Sequence, residues 1–564
     1  MSTAVSILGG VGLFLLGMTV MTGGLKTLAG SALRTVLGKA AATPLRGAFW
    51  GAVITLLVQS SSATTMTTIG LVSAGLLTFQ QGLGLVFGAN VGTTGTGWLV
   101  ALIGVRVSLT AAALPIIFVG ALTTLLGRGR VSGVGAALAG FGLVLFGLTT
   151  LQQGMGGLAE RMHPADLPAV YASAGSGWWS GLLGVLALVL IGLVMTAVMQ
   201  SSTAAIAVTL SAYYAGAVGL DQACALIIGQ NVGTATSSAL AAIGASSTAK
   251  RLALAYVLFK LIAALIALTV FPVVTPLLVR ASNKIDGVSL LAAYHTAFNV
   301  VGVLVLLPLI DKFTRLVERI LPERGSPLTR CLDPAALASP IVAVEAVRRT
   351  VARALAALCR SLDAALAAAS HGENLAPGKE AASEAAEALR QAQMFISDVD
   401  GPPASEDEQQ RLTSTLHSLD HASRLAETAG EKVEFRTVTG GPKDVRAAHL
   451  CADAMRNAAS IADGVAASRA APIISERDSR GSSDAEVTVN EGGTSTEDAL
   501  GRLEQSAKAL GELQRAHRIE TLSAVANGAL TASEAIVRVD TVRRLEAFAY
   551  HAWRSAAQLV GGAT

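Results

Sequence analysis

One pair of polar motifs, repeated at a fixed distance inside stretches that carry no charge, constrains this chain more than any other feature. Gln59-Ser60-Ser61-Ser62-Ala63-Thr64 returns as Gln200-Ser201-Ser202-Thr203-Ala204-Ala205. Gly88-Ala89-Asn90-Val91-Gly92-Thr93-Thr94 returns as Gly229-Gln230-Asn231-Val232-Gly233-Thr234-Ala235. The Gln and Asn of each copy are 31 residues apart, and both motifs recur at one offset of 141. A periodic self-match decides architecture before any local reading does. Here it implies two structurally equivalent halves, repeat 1 at about 5–130 and repeat 2 at about 135–310.

The surroundings of the motifs say what kind of halves these are. No acidic or basic side chain occurs between Arg46 and Arg106, or between Asp166 and Asp221. Each interval exceeds fifty residues, and one membrane crossing needs about 20 apolar residues. Apolar runs fall at 4–24, 47–79, 82–104, 108–126, 131–150, 178–219, 222–243, 252–279 and 288–310. Residues 4–24 lack a basic leader and a small-residue cleavage site, so they read as a retained membrane helix. Residues 1–322 are therefore expected to be a polytopic, all-α membrane domain. Lys26, Arg34, Lys39 and Arg46 follow the first run, and Lys312, Arg315 and Arg319 follow the last. Basic flanks favour the cytoplasm. The stretch 156–180 carries Glu160, Arg161 and Asp166 and is not basic, so it is expected outside, as inverted repeats require.

A short apolar run that meets a cluster of hydrogen-bonding residues at membrane depth has few options. Residues 47–58 span about 18 Å as a helix, against a hydrocarbon core of about 30 Å. The run then meets Gln59 to Ser62 and resumes as an apolar helix. The simplest reading is a re-entrant hairpin with its polar tip near mid-membrane. The second half-helix would start at the serines, which are good N-caps. Its free N–H groups and positive dipole end would favour an anion without a buried Arg or Lys. Gln59, Ser60, Ser61 and Ser62, with Gln200, Ser201, Ser202 and Thr203, are the candidate anion-binding residues. Asn90-Val91-Gly92-Thr93 and its twin are expected to unwind at glycine. With Thr64, Asn90, Thr93, Asn231 and Thr234, such segments offer oxygens suited to a small hard cation. Interrupted segments at matching places in two halves are the sequence mark of a transporter site. Small polar residues also let helices pack closely, but a duplicated set at one spacing is poorly explained that way. Arg106 and Lys260 read as side chains that snorkel from helix ends.

The paired motifs resemble the type II sodium/phosphate cotransporter family in its bacterial form, over roughly residues 5–310. The resemblance implies an inverted-repeat, sodium-driven importer of inorganic phosphate in the cell inner membrane, multi-pass, working by alternating access. It implies that the Gln-Ser-Ser tips hold phosphate and help hold sodium, which is the coupling ion. No cofactor is implied. Thr203 stands where a third serine is usual but keeps the hydroxyl. Tyr294-His295-Thr296-Ala297-Phe298-Asn299 resembles a family His-x-x-Phe-Asn element, which makes His295 and Asn299 accessory candidates. Electrogenic members use an additional acidic residue, and residues 47–105 have none, so the sodium count stays open.

The remainder has another character. Residues 1–325 hold 17 Lys and Arg and 7 Asp and Glu, whereas residues 326–564 hold 25 and 32. After a linker at 323–335, helical periodicity predicts helices at 336–370, 378–397, 406–433, 443–470, 497–519 and 521–560. Asp400-Gly401-Pro402-Pro403 reads as a turn, and 474–496 reads as a mobile loop. Six helices, with the stretch Leu416 to Leu425, resemble a PhoU-like cytoplasmic domain over 336–564. The overall balance of 42 basic against 39 acidic residues argues against a nucleic-acid partner. The expected partners are phosphate, sodium and the bilayer, and a homodimer is compatible with the sequence. Four scattered cysteines point neither to disulfides nor to zinc. An enzyme is disfavoured because no acid, base or nucleophile partner accompanies the motif hydroxyls. The alternative is a membrane sensor of phosphate status with a helical output domain.

Overall fold

The structure is a computed structural model. It describes residues 2–40, 42–103, 110–170, 178–243, 246–322, 326–370, 379–399, 405–431, 438–468 and 492–561. Arg106, the Asp400–Pro403 turn and most of the 474–496 segment lie outside them. The described residues contain helices and no strand.

The chain forms two compact units, residues 1–72 with 77–323, and residues 73–76 with 324–564. The first holds α1 (Thr3–Ala40), α2 (Pro44–Val58), α3 (Ser61–Ser73), α4 (Phe79–Thr93), α5 (Gly95–Ile103), α6 (Thr110–Leu126) and α7 (Arg130–Ala159). It continues with α8 (Trp178–Met199), α9 (Ser202–Tyr214), α10 (Leu220–Ala241), α11 (Ser247–Ala281), α12 (Gly287–Leu306) and α13 (Ile310–Ile320). Among the described residues, six helical stretches are long and apolar enough to cross a membrane. Leu8, Phe118, Leu125, Trp179, Leu183 and Val198 are exposed, an apolar surface that water does not tolerate and lipid does. The protein is a membrane protein.

Glycine sets the helix packing. Gly10, Gly17 and Gly24 of α1 recur every seven residues and meet Leu151, Val144 and Ala137 of α7. The paired numbers fall on one helix as they rise on the other, so α1 and α7 run antiparallel. A Cβ on Gly17 would stand 2.6 Å from the Val144 nitrogen. Small residues allow this backbone approach where hydrophobic burial alone does not drive association.

The repeats pack alike in detail. Gly84 and Gly88 of α4 lie on Pro44 and Ala48 of α2, and Gly92 lies on Ala52. The constant spacing of 40 residues means that α2 and α4 run parallel. Gly229 of α10 lies on Val189 of α8 in the same way. Gly51 meets Leu85, and its counterpart Gly192 meets Leu226. This packing corrects one expectation. Asn90 and Asn231 sit inside helices, and α10 runs unbroken through Asn231-Val232-Gly233-Thr234. In repeat 1 the break comes only at Thr94. The motif glycines serve close helix contact rather than unwinding.

The second unit is built from α14 (Pro340–Ser370), α15 (Lys379–Ser397), α16 (Glu406–Gly430), α17 (Pro442–Ala467), α18 (Gly492–Ala526) and α19 (Ala532–Val560). Helix α18 starts earlier and runs later than the sequence reading placed it. Its core is rich in alanine and leucine, with Ala385, Ala422, Leu425, Ala454, Leu510 and Ala552 fully buried. Two clusters of buried charge in it are paired. Asp444 meets His517 at 2.9 Å and also Arg538, and Glu345 meets Arg349 at 2.9 Å. Burial pushes the Asp444 carboxyl up, but hydrogen bonds from His517 and Arg538 outweigh it and hold the group below its usual value.

Candidate functional site

The two polar breaks have one geometry. Gln59 and Gln200 have φ of 56° and 51°, and they alone among described non-glycine residues have positive φ. Left-handed backbone costs a side-chain-bearing residue about 1–2 kcal/mol, so surrounding contacts must hold it. Those contacts match. The Gln59 amide nitrogen donates to the Leu56 carbonyl, and that of Gln200 donates to Ala197. The Thr96 hydroxyl donates to the Gln59 amide oxygen at 2.6 Å, and Ser237 donates to that of Gln200 at 2.8 Å. Ser60 accepts from the Ala63 N–H and Ser201 from the Ala204 N–H, each at 3.2 Å. The serines thus open α3 and α9. Each break leaves the first amides of a new helix beside hydroxyl side chains, an arrangement that suits an anion.

Beyond the breaks, the repeats differ. Thr55 donates to Thr64 at 2.9 Å, both buried. In repeat 2, Ala205 replaces Thr64 and leaves the Thr196 hydroxyl buried and unpartnered. The Asn90 amide nitrogen donates to the Val86 carbonyl at 2.9 Å, and its oxygen is buried with no partner. At Asn231 the pattern is reversed: the oxygen accepts from the Lys260 ammonium at 2.6 Å, and the amide nitrogen is unpartnered. Thr93 and Thr234 donate to the carbonyls of Ala89 and Asn231 within their own helices. Ser62 and Gln200 are exposed, and Ser202 is buried. The next helix position, Thr203, is half-buried.

Several residues that the sequence reading did not single out join these parts. Tyr256 of α11 is buried, with its hydroxyl close to Ser61 from repeat 1 and Thr234 from repeat 2. Thr296 of α12 accepts from Trp98 at 2.9 Å and donates to Thr94 at 3.0 Å. His295 and Asn299 flank it, both buried. The Asn299 amide donates to the His295 carbonyl at 2.9 Å, while His295 Nδ1 and the Asn299 oxygen have no partner. Lys260 does not snorkel. It lies in the middle of α11 and is 2% exposed, which overturns the helix-end reading. Among the described residues, no cluster of His, Cys, Asp and Glu suited to a metal ion occurs. Thr96 and Ser237 were findable, since both carry hydroxyls at the 141-residue offset. Lys260 stands out in the sequence as a lone charge in an apolar run, but its burial is set by packing.

Comparison with known proteins decides the family. The model of the Na+/Pi-cotransporter family matches residues 13–153 and 184–282, and each stretch contains one copy of both motifs. An uncharacterized protein, YqeW, of Bacillus subtilis (strain 168) is 30% identical over 311 residues, which cover 55% of this chain and 96% of that protein. The chain belongs to the Na+/Pi-cotransporter family. That family is one of transporters rather than enzymes. A putative inorganic phosphate export protein, YjbB, of Escherichia coli (strain K12) is 31% identical over 359 residues, covering 62% of this chain and 63% of that relative. Sodium-dependent phosphate transport protein 2B of Homo sapiens is 44% identical over a shorter stretch of 62 residues, 11% of this chain and 9% of that protein. No solved structure matches the chain significantly.

Proposed function

We propose that this family member is a sodium-coupled importer of inorganic phosphate. Phosphate is held between the Gln59–Ser62 and Gln200–Thr203 tips, and the two repeats are inverted about it. The observation that carries the reading is the matched pair of left-handed breaks, each opening a helix at capping serines. Two helix N-termini converging on one dianion stabilise it without a full cation at each tip. Sodium is coordinated by the unpartnered Asn90 oxygen with Thr64 and Thr93, and Asn231 with Thr234 offers a second cation position. His295 and Asn299 support the site from α12.

Chain direction supports both the hairpins and the inversion. Helices α2 and α4 run parallel, so the chain must return between them. The 13 residues of α3 cover about 20 Å, short of a hydrocarbon core of about 30 Å. That is the reach of a re-entrant hairpin. Helix α2 begins where α1 ends, and α8 begins after α7 ends. Because α1 and α7 are antiparallel, α2 and α8 enter from opposite sides. Lys26, Arg34 and Lys39 in the C-terminal part of α1, Arg46 at the start of α2, and the basic residues of α13 favour the cytoplasm for that face, with the 336–564 helices, read as a PhoU-like regulatory domain, on the same side of the cell inner membrane.

The test is uptake of labelled phosphate by proteoliposomes of the full chain. Accumulation with an inward sodium gradient, lost when potassium replaces sodium, is the expected result. Equal uptake in both salts refutes sodium coupling. The name of the Escherichia coli relative favours export as a second reading. Vesicles preloaded with phosphate distinguish the two, since an exporter empties against an inward sodium gradient. All four native cysteines are buried, so cysteines placed at the exposed Thr78 and Tyr214 report topology cleanly. Labelling of both from one face by an impermeant reagent sinks the inversion.

A further inference from the structure

We propose that the Lys260 ammonium is a tethered cation that fills the cation position of repeat 2, so that mobile sodium is required only at repeat 1. This rests on the transport reading above and names the occupant of one of its two cation positions.

Four observations carry it. First, the motif asparagines are equivalent by sequence and by packing, yet their oxygens differ. That of Asn90 is buried and open, while that of Asn231 is taken by the Lys260 ammonium at 2.6 Å. A cation therefore already sits on the oxygen that repeat 1 leaves free. Second, the position 141 residues before Lys260 is Val119, which is exposed. Repeat 1 has no such cation to offer. Third, buried charges in the second unit include clear ion pairs, Asp444 with His517 and Arg538 and Glu345 with Arg349. Lys260 is 2% exposed and, among the described residues, has no carboxylate within ion-pair distance. One neutral amide oxygen and the face of Tyr256, 5.4 Å away, are poor compensation for a desolvated ammonium. An anion arriving nearby is the missing partner, and an intramembrane charge of this kind marks a substrate pathway. Fourth, the position is right. Tyr256 lies one helical turn from Lys260 and close to Ser61 at one tip and Thr234 beside the other motif.

The physical consequence is an asymmetric charge balance. Phosphate meets one ammonium that never leaves and is joined by sodium at Asn90. A fixed cation lowers the number of sodium ions that must bind for each phosphate and keeps part of the anion affinity at low sodium.

The test uses the full-length protein reconstituted in liposomes, with radioactive sodium and inorganic phosphate as probes. Wild type, Lys260→Gln and Lys260→Arg are compared for the steepness of sodium activation and for apparent phosphate affinity at fixed sodium. In Lys260→Gln the vacated oxygen is expected to recruit sodium. The Hill coefficient for sodium rises by about one, and phosphate affinity at low sodium falls by about fivefold or more, recovering as sodium is raised. Lys260→Arg keeps the wild-type sodium steepness. Folded Lys260→Gln with the wild-type Hill coefficient and phosphate affinity overturns the proposal. Should Lys260→Gln not fold, Asn231→Asp decides. It neutralises the ammonium with a carboxylate in place, so wild-type sodium dependence there also overturns the proposal. Wild-type vesicles that move no phosphate with sodium remove the transport reading and this inference together. Active wild type with an indifferent Lys260→Gln removes only this one.

Discussion

The two repeats share their breaks and their helix packing but not the polar groups behind them. Gln59 and Gln200 adopt the same left-handed turn, and Thr96 and Ser237 hold their amides alike. One turn deeper, repeat 1 keeps a buried Thr55–Thr64 pair and an open Asn90 oxygen, whereas repeat 2 has Ala205 and an Asn231 oxygen occupied by Lys260. The difference teaches that one backbone turn can be kept while the polar groups behind it change. The turn is the same in both repeats, and the groups one turn deeper are not.

The largest expected effect tests whether the packing is equivalent. A Cβ on Gly88 would stand 1.8 Å from the Ala48 carbonyl oxygen, and one on Gly229 1.9 Å from that of Val189. Helices cannot absorb this without separating, so Gly88→Ala and Gly229→Ala should each destabilise by about 3 kcal/mol or more. Thermal unfolding and the monodisperse fraction in detergent measure it. A well-folded Gly229→Ala beside an unfolded Gly88→Ala would break the equivalence. Next come the tips. Ser61→Ala and Ser202→Ala each remove a hydroxyl from the proposed anion site, worth about 1–3 kcal/mol where the partner is left unsatisfied. Phosphate uptake should fall between about fivefold and a hundredfold at unchanged expression. Normal uptake by both variants would reduce the tips to packing contacts.

Smaller effects sharpen the contrast. Thr64→Ala gives repeat 1 the composition of repeat 2 and removes a buried hydrogen bond of about 0.5–1.5 kcal/mol. Half-maximal sodium should rise about threefold to tenfold, and an unchanged value would exclude Thr64 from the cation position. Thr96→Val and Ser237→Ala should each weaken phosphate affinity by about two- to threefold, the lower end of the same range. Here the repeats ought to respond equally. A tenfold gap between the two would mean that only one glutamine contacts substrate.

Much of this was legible before any coordinates. Charge-free intervals longer than fifty residues force helices into lipid, because backbone groups there must be satisfied within the segment. The 141-residue offset located both breaks, and serine capping placed the starts of α3 and α9 within a residue. The helical spacing of alanine and leucine placed α14 through α17 closely, with larger shifts at α18 and at the start of α19, which begins at Ala532 rather than 521. The glycines of the Asn-Val-Gly motifs misled. Glycine permits both unwinding and close approach, and sequence does not tell which neighbour will come near. Only the contacts of Gly88 with Ala48 and of Gly229 with Val189 decide for approach.

Sequence by itself determined the membrane domain, its duplication and the polar breaks, because each follows from local hydropathy, capping and periodicity. Tertiary structure alone decided which polar groups meet. Tyr256 reaches Ser61 across nearly two hundred residues of chain, and Lys260 finds Asn231 rather than a membrane surface. A lone lysine in an apolar run reads equally well as a snorkelling side chain or as a buried one. The choice depends on helix rotation, and rotation is fixed by packing against neighbours that the local sequence does not contain.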